Sequence, residues 1–423
     1  MIDVGSAGQL TISPNGQLAG LSGSYIDPTA GRGCASVYDL ITGTLATNLC
    51  GYGSESSSNI KFSPDGTKVA VSIRPNADYG AMCYWNVTGW SNKVCYKDSD
   101  IQNYVQDFCW KDNTTVFSGE EKVSGTAWAK RWSASGGAPT SLFSKSGSFT
   151  SMDCSPNGSH FAYTVYVYQG TDNIGISDGT SSSPYVAGYQ NQDAIDISWS
   201  PNENYFAGAF RADAIVVYDI SGQQKAVCSH NQNFWSVDWH PTKNKLLSVD
   251  WANRITVWDW NGGTQCSIGD LNFTHPGTVY AARWKGNSDD FVVLADGKLY
   301  LYTITDYSGP NIVISSPSDG ESTFDVNISV SGRIADDQTG DHGISEASIL
   351  LNGNLYADLM GFLDDDGFFV LDDVPLAVGV NAIKIIAYDN AKDPSTNKGN
   401  KTELTVYVTR NVDSVAPVFY NWI

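Results

Sequence analysis

Positive charge is scarce in this 423-residue chain: 25 Lys and Arg stand against 45 Asp and Glu, a net charge of −20. So acidic a composition argues against a nucleic-acid partner or an anionic membrane surface, since both need clustered cations. Histidine is also rare, and its five copies (His160, His230, His240, His275, His342) are each isolated in sequence from a nucleophile or a metal set. No P-loop, HExxH or CxxC is present, which removes the usual marks of a nucleotide hydrolase or a zinc site. Carboxylate pairs are too common in such a chain to mark a glycosidase dyad. No apolar run is long enough to span a bilayer. Residues 1–305 carry no sustained 3.6-residue apolar period, so helices are expected to be scarce. Met1-Ile2-Asp3 lacks a basic start and an apolar stretch, so a leader is expected to have been removed before this numbering begins.

What the chain has instead is a turn that recurs seven times at roughly 40–50-residue spacing, the mark of a repeated supersecondary unit. It reads Ser-Pro-Asn-Gly at 13–16, Ser-Pro-Asp-Gly at 63–66, Ser-Pro-Asn-Gly at 155–158, Ser-Pro-Asn at 200–202 and His-Pro-Thr at 240–242. Degenerate copies stand at Trp110-Lys111-Asp112-Asn113 and Trp284-Lys285-Gly286-Asn287. Proline presets φ at the second turn position, and Asn, Asp and Gly accept the left-handed geometry that follows. An apolar strand leads into each turn, as in Ser236-Val237-Asp238-Trp239, and a second follows it. A third ends on an aromatic and a polar residue: Val37-Tyr38-Asp39, Tyr84-Trp85-Asn86, Val217-Tyr218-Asp219, Val257-Trp258-Asp259. A Gly-containing turn and a fourth strand complete the unit. Four-stranded units repeated seven times predict an all-β, seven-bladed β-propeller.

On the Ser-Pro-Asp-Gly turn and the Val-Trp-Asp tripeptide at 257–259, residues 1–305 resemble the WD40 family. The Gly-His pair typical of eukaryotic WD40 blades is absent from every copy, and the looser blades equally resemble bacterial WD40-like and TolB-like propellers. The seventh unit supplies only three strands, Val279–Trp284, Phe291–Leu294 and Lys298–Ile304. Ile2-Asp3-Val4 is therefore expected to close the ring as its fourth strand and to remove the open edge.

A propeller over 1–307 leaves 308–411 for a second domain. Its expected strands are Asn311–Ser315, Asp325–Arg333, Ser345–Leu351, Gly367–Leu371, Asn381–Tyr388 and Thr402–Val408, the pattern of an immunoglobulin-type β-sandwich. Ile314-Ser315-Ser316-Pro317, Leu351-Asn352-Gly353 and Ala387-Tyr388-Asp389 resemble bacterial Ig-like and cadherin-like modules. The connector from Tyr302 to Pro310 is short, which suits a fixed orientation. Residues 412–423 form a tail that also looks like the start of a further module. The chain is thus expected to be a fragment or a processed product.

Eight cysteines give the compartment. With three-residue turns at Ile41–Gly43 and Thr88–Trp90, Cys34 falls opposite Cys50 and Cys83 opposite Cys95, within disulfide reach. Two such bridges imply an oxidising, extracellular or cell-surface location. Cys109 and Cys154, at equivalent inner-strand positions, are either core thiols or a bridge between blades. Cys228 and Cys266 sit on outer strands of different blades and are expected to be too far apart to pair. Sequons at Asn86, Asn113, Asn157, Asn272, Asn327 and Asn400 fit a glycosylated surface.

Residues 309–412 hold sixteen acidic and six basic residues, a net −10. Asp336, Asp337, Asp341, Asp364, Asp366 and Asp389 are candidate Ca²⁺ ligands, because hard cations want six to eight oxygens. A solvated acidic face is the alternative. Three functional readings follow. The first is a non-enzymatic extracellular scaffold of a cell-surface or filamentous assembly, whose partners are proteins, including copies of itself. Phe419, Tyr420 and Trp422 of its tail would add as a strand to a neighbour. The second is a propeller that binds a glycan or peptide, with Trp90, Trp128 and Trp251 as stacking candidates. The third is an accessory region of a larger secreted hydrolase.

Overall fold

A computed structural model of the chain describes residues 1–5, 8–27, 32–50, 56–74, 81–97, 103–122, 126–166, 174–180, 185–186, 193–304, 309–336, 343–364, 366–390 and 399–412. Contacts divide it into two units, Met1–Thr303 and Ile304–Ile423. Helix among the described residues is limited to two 3₁₀ turns, Thr88–Trp90 and Met360–Phe362.

Residues 1–303 form, among the described residues, seven antiparallel four-stranded sheets. In chain order they span residues 10–49, 56–97, 103–146, 148–186, 194–229, 234–274 and 279–303. Ile2–Asp3 pairs with the last strand of the seventh sheet, Ile2 opposite Leu299, and Val4 N–H donates to the Gly297 carbonyl at 2.8 Å. The first strands of the sheets touch one another in cyclic order, the seventh against the first. Apolar side chains fill the gaps between consecutive sheets. Phe206, Phe210 and Ile174 pack between the fourth and fifth, and Val292, Leu294 and Leu21 between the seventh and first.

The repeated turn is held by its serine. Ser13 Oγ donates to Asn15 Oδ1 at 2.7 Å and accepts from Leu18 N at 2.9 Å. Ser63, Ser155 and Ser200 do the same with Asp65, Asn157 and Asn202 and with the amides of Lys68, His160 and Tyr205. His240 takes the serine's place, its Nδ1 accepting from Thr242 N at 3.2 Å. Gly158 has φ +69°, and a Cβ there would meet the Lys111 carbonyl oxygen of the preceding sheet at 1.9 Å. That turn therefore needs glycine for both conformation and packing.

All eight cysteines are bonded. Cys34–Cys50 and Cys83–Cys95 cross outer hairpins with Cα atoms 4.6 and 4.1 Å apart. Both hairpin turns are one residue longer than three, since Asp39 pairs with Thr44 and Asn86 with Ser91. A one-residue register shift, at Val37/Tyr38 and at Tyr84/Asn86, brings each cysteine pair back into opposition. Cys109–Cys154 ties the third sheet to the fourth. Cys228–Cys266 is also bonded, Cα atoms 4.9 Å apart, against the expectation that these two lie too far apart. The segment before the sixth sheet's outer strand folds back onto the fifth sheet. Val227 N donates to the Thr264 carbonyl at 3.1 Å, and Val227 forms a parallel bridge with Gln265. Cys266 is thereby delivered to Cys228.

Among the described residues, 304–423 hold two sheets. Asn311–Ser316, Asn327–Ala335 and Phe368–Pro375 form the first. The second runs in the order Glu321–Thr323, Lys401–Arg410, Gly379–Asp389, Ile344–Leu351, Asn354–Asp358. Its first pair is parallel and the rest antiparallel. Val330, Ile334, Phe369, Ile349, Ile383 and Val408 belong to one core shared by both sheets.

Candidate functional site: the channel and its aromatic mouth

The first strands of six sheets each carry one extra residue, a bulge that breaks the in–out alternation and re-aims a side chain. The extra residues are Ser58, Gln106, Thr150, Ile195, Trp235 and Tyr280. After each bulge come side chains that face the space enclosed by the ring. One cavity there, of about 310 Å³, is lined among others by Asn59, Lys61, Asp107, Asp153, Asp238 and Arg283. A second, of about 360 Å³, is lined by Gln9, Ile195, Asp196, Arg211, Trp235, Tyr280 and Arg283. Gln9 and Arg283 border both.

The inner carboxylates bind backbone of the next sheet. Asp107 accepts from Phe108 N and Met152 N, each at 2.7 Å, and pairs with Lys61 Nζ at 3.1 Å. Lys61 also donates to the Met152 carbonyl at 2.7 Å. Asp196 accepts from Val237 N at 3.1 Å and from Arg283 Nη2 at 3.0 Å. Asp153 accepts from Trp199 N at 2.9 Å and Asp238 from Trp284 N at 2.7 Å. The indole N–H groups of Trp199 and Trp284 return to the carbonyls of Asp153 and Asp238. Among the described residues, inner strands of adjacent sheets share no ladder, so these bonds satisfy amides that would otherwise lie buried without partners.

Burial sets the electrostatics. It pushes the Asp153 carboxyl up to about 6, against the pull of Lys61. It pushes Asp238 up to about 7, against Arg283. Asp107 is likewise raised by burial, with Lys61 opposing. Arg283 is held above its usual value because Asp196 and Asp238 outweigh the effect of its own burial. The acceptors are thus committed to amides and to the two cations, an arrangement that holds sheets together.

The mouth of the second cavity differs. Trp235 and Trp251 stack at 5.0 Å with planes 26° apart and are 42 % and 44 % exposed; Tyr280 beside the same cavity is 51 % exposed. Trp251 sits on a fixed turn. Asp250 Oδ1 accepts from Ala252 N and Arg254 N at 2.8 Å each, and Asn253 adopts φ +61°. Asn253 Oδ1 accepts from Val279 N of the next sheet at 3.0 Å. Beneath, His230 Nδ1 lies 3.5 Å from Asp250 Oδ2, Nε2 contacts Thr256 Oγ1 at 3.2 Å, and the ring stacks on Trp258. Trp258 Nε1 donates to Ser248 Oγ at 2.8 Å. Burial, helped by Arg254, holds the His230 pKa below its usual value, so the ring is neutral at pH 7.

Of the stacking candidates read from sequence, Trp251 is at this mouth. Trp90 packs against the core between the first and second sheets, and Trp128 is half-buried on an outer hairpin of the third. Trp235 and Tyr280 were missed. Their signal was alignable: Phe234-Trp235-Ser236 and Val279-Tyr280-Ala281 match Ala194-Ile195-Asp196 at the bulge.

Among the acidic-loop candidates, Asp336, Asp364 and Asp366 line one cavity of about 490 Å³. Asp364 Oδ1 accepts from Asp366 N and Phe368 N at 3.0 and 2.8 Å, closing a turn. Asp389 is buried and bonded to the Asn400 amide and side chain at 2.7 and 2.9 Å. Asp337 and Asp341 lie outside the described residues, as do Phe419, Tyr420 and Trp422. Among the described residues, no three His, Cys, Asp or Glu side chains come together as a metal set.

No protein-family model matches the chain, and no curated protein matches it. Solved structures do. A chain of the crystal structure of the mitotic checkpoint complex is similar over 72% of this chain and 93% of its own, with TM-score 0.57 and 16% identity. The β-propeller domain of Cps50 (Swd1) from Myceliophteria thermophila is similar over 72% of this chain and 99% of its own, with TM-score 0.56 and 10% identity. Both neighbours are WD40 β-propeller structures, and at such identities the likeness is one of fold. The protein is all-β, with propeller-like four-stranded blades matching those of WD40 proteins.

Proposed function

We propose that this chain is a non-enzymatic extracellular scaffold, a seven-bladed β-propeller over 1–307 followed by an Ig-like sandwich over 308–411. It acts through protein contacts in a cell-surface or filamentous assembly. The WD40 likeness supports a role in protein–protein interaction or scaffolding. The observation that carries the non-enzymatic part is the commitment of the channel carboxylates. Asp107, Asp153, Asp196 and Asp238 each accept a main-chain amide of the neighbouring sheet. Groups so committed support architecture better than acid–base chemistry. Four disulfides support an oxidising compartment.

Calcium in the acidic loops belongs to the same proposal: Asp336, Asp364 and Asp366 border one cavity, and the cation would have to draw its ligands together, since no three of them meet among the described residues. Negative-stain electron microscopy of the native chain, with and without millimolar Ca²⁺, tests the whole. Filaments or sheets are the expected result, with Ca²⁺ promoting them. Dispersed particles under both conditions, together with no calorimetric heat on adding Ca²⁺, would sink both the filament and the calcium.

A further inference from the structure

The two most exposed tryptophans among the described residues stand together at one opening of the ring. Eight others are at most 5 % exposed. Leaving Trp235, Trp251 and Tyr280 at 42 %, 44 % and 51 % exposure forgoes the burial that drives folding elsewhere in the same strands. Their positions are not accidental to packing. Trp235 and Tyr280 are the extra residues of two bulges, which aim them out of the sheet. Trp251 is fixed by the Asp250 turn and the His230, Ser248 and Trp258 bonds beneath it. The platform is built before any ligand arrives, so little ordering is left for binding to bear.

Every charge lining this cavity is already compensated within the protein. Asp196 pairs with Arg283 at 3.0 Å, and Arg211 faces Asp193 at 3.9 Å. A ligand that depends on charge therefore finds no uncompensated partner. Around the ring, the bulge position changes character: Ile195, Trp235 and Tyr280 in the last three sheets, but Ser58, Gln106 and Thr150 in the second, third and fourth. The bulge positions are thus apolar or aromatic on the arc that borders this cavity and neutral-polar on the other. Its cavity of about 360 Å³ lies at the lower end of the range of small-ligand sites, roughly 300–1,000 Å³.

We propose that this mouth binds a neutral oligosaccharide. A pyranose matches it in kind, because one face of the ring presents C–H groups and the edge presents hydroxyls. The C–H face would lie on an outer face of the Trp235–Trp251 stack, with Tyr280 lining the same cavity. The edge hydroxyls would reach Gln9, Ser236 and Thr278, which line the same cavity. An aromatic platform supplies large apolar contact at low entropic cost, and the hydrogen-bonding side chains supply orientation.

The test applies the full chain to an array of neutral gluco-, manno-, galacto- and N-acetylglucosamine oligosaccharides, then titrates the best of them by tryptophan fluorescence. Binding is expected to be nearly independent of salt. Trp235→Ala and Trp251→Ala are each expected to weaken it at least about tenfold, and Tyr280→Ala by somewhat less. Trp128→Ala is the control and should leave it unchanged. Each variant's thermal transition shows whether it is folded. Three results would overturn the proposal: no neutral glycan bound at millimolar concentration, binding that persists in folded Trp235→Ala, or binding that collapses with salt. The last would point to an anionic or cationic ligand, including an ammonium over the indole faces. A scaffold that forms filaments without binding sugar would leave the proposed function standing and remove only this site.

Discussion

In residues 1–303, consecutive sheets share no backbone ladder among the described residues apart from the single Val227–Gln265 bridge, and each apolar cluster lies between two neighbouring sheets. In residues 304–423, two sheets enclose one continuous core, and no cysteine is present. A ring of small sheets has many seams, and each seam must be closed by side chains. The first unit closes them with apolar packing, with carboxylates that accept the next sheet's amides, and at two seams with Cys109–Cys154 and Cys228–Cys266. The second unit has one seam and fills it with Val, Ile and Phe. The same composition of β-strand is therefore stabilised by distributed ties in one case and by a single core in the other.

Reduction should separate the two most sharply. Each disulfide closes a loop of 12 to 45 residues, and such bridges contribute about 2–4 kcal/mol apiece. Scanning calorimetry in strong reductant should move the transition of the first unit down by tens of degrees and leave the second where it was. A common shift of both would mean that the units melt together and would break the comparison. The reverse perturbation is Ile349→Ala. Ile349 is fully buried in the shared core, and its truncation should cost about 2–5 kcal/mol. The loss should appear only in the transition of residues 304–423, because that unit has no second set of ties to absorb it.

What the sequence revealed follows the same division between local and distributed. The turns were legible because Ser, Pro, Asn and Gly act within five residues, and Ser13, Ser63, Ser155 and Ser200 make the bonds that their spacing predicts. The hairpin disulfides were legible for the same reason. A four-residue turn followed by a bulge preserves the same opposition as a three-residue turn without one. Cys228–Cys266 was hidden because the pairing depends on residues 264–266 crossing to a neighbouring sheet, and no periodicity encodes such a crossing. The mouth was hidden in part. Trp251 follows a strand and looked exposed, but Trp235 and Tyr280 sit in strands where alternation assigns them no special direction. His230 looked isolated because its partners come from two other strands, Ser248 and Asp250 from Lys245–Asp250 and Trp258 from Arg254–Asp259.

The channel carboxyls give a smaller and subtler contrast, in pH dependence. Asp153 and Asp238 titrate near 6 and 7 in the folded protein, whereas the unfolded chain releases those protons near the ordinary carboxylate value. Between those limits the folded state holds more protons than the unfolded state, so stability falls as pH rises from about 4 to about 7. The first unit should therefore melt higher at pH 5 than at pH 8. The combined effect is on the order of a few kcal/mol. His230, whose pKa is lowered, works the other way below its ordinary value and trims the gain. In the second unit the corresponding group is Glu403, held near 2 by hydrogen bonds from Lys384 and Lys401. Its contribution is present above the ordinary carboxylate value and is lost only as pH falls towards 2, so the second transition should not rise on acidification to pH 5. Asp238→Asn isolates the cause, because the amide oxygen can still accept from Trp284 N but no proton remains to be released. The variant should flatten the first unit's melting curve against pH while leaving its pH 5 value nearly unchanged. If wild type and Asp238→Asn show the same slope, the proton on Asp238 is not what softens the ring at neutral pH, and the inner carboxylates hold their seams equally in both charge states.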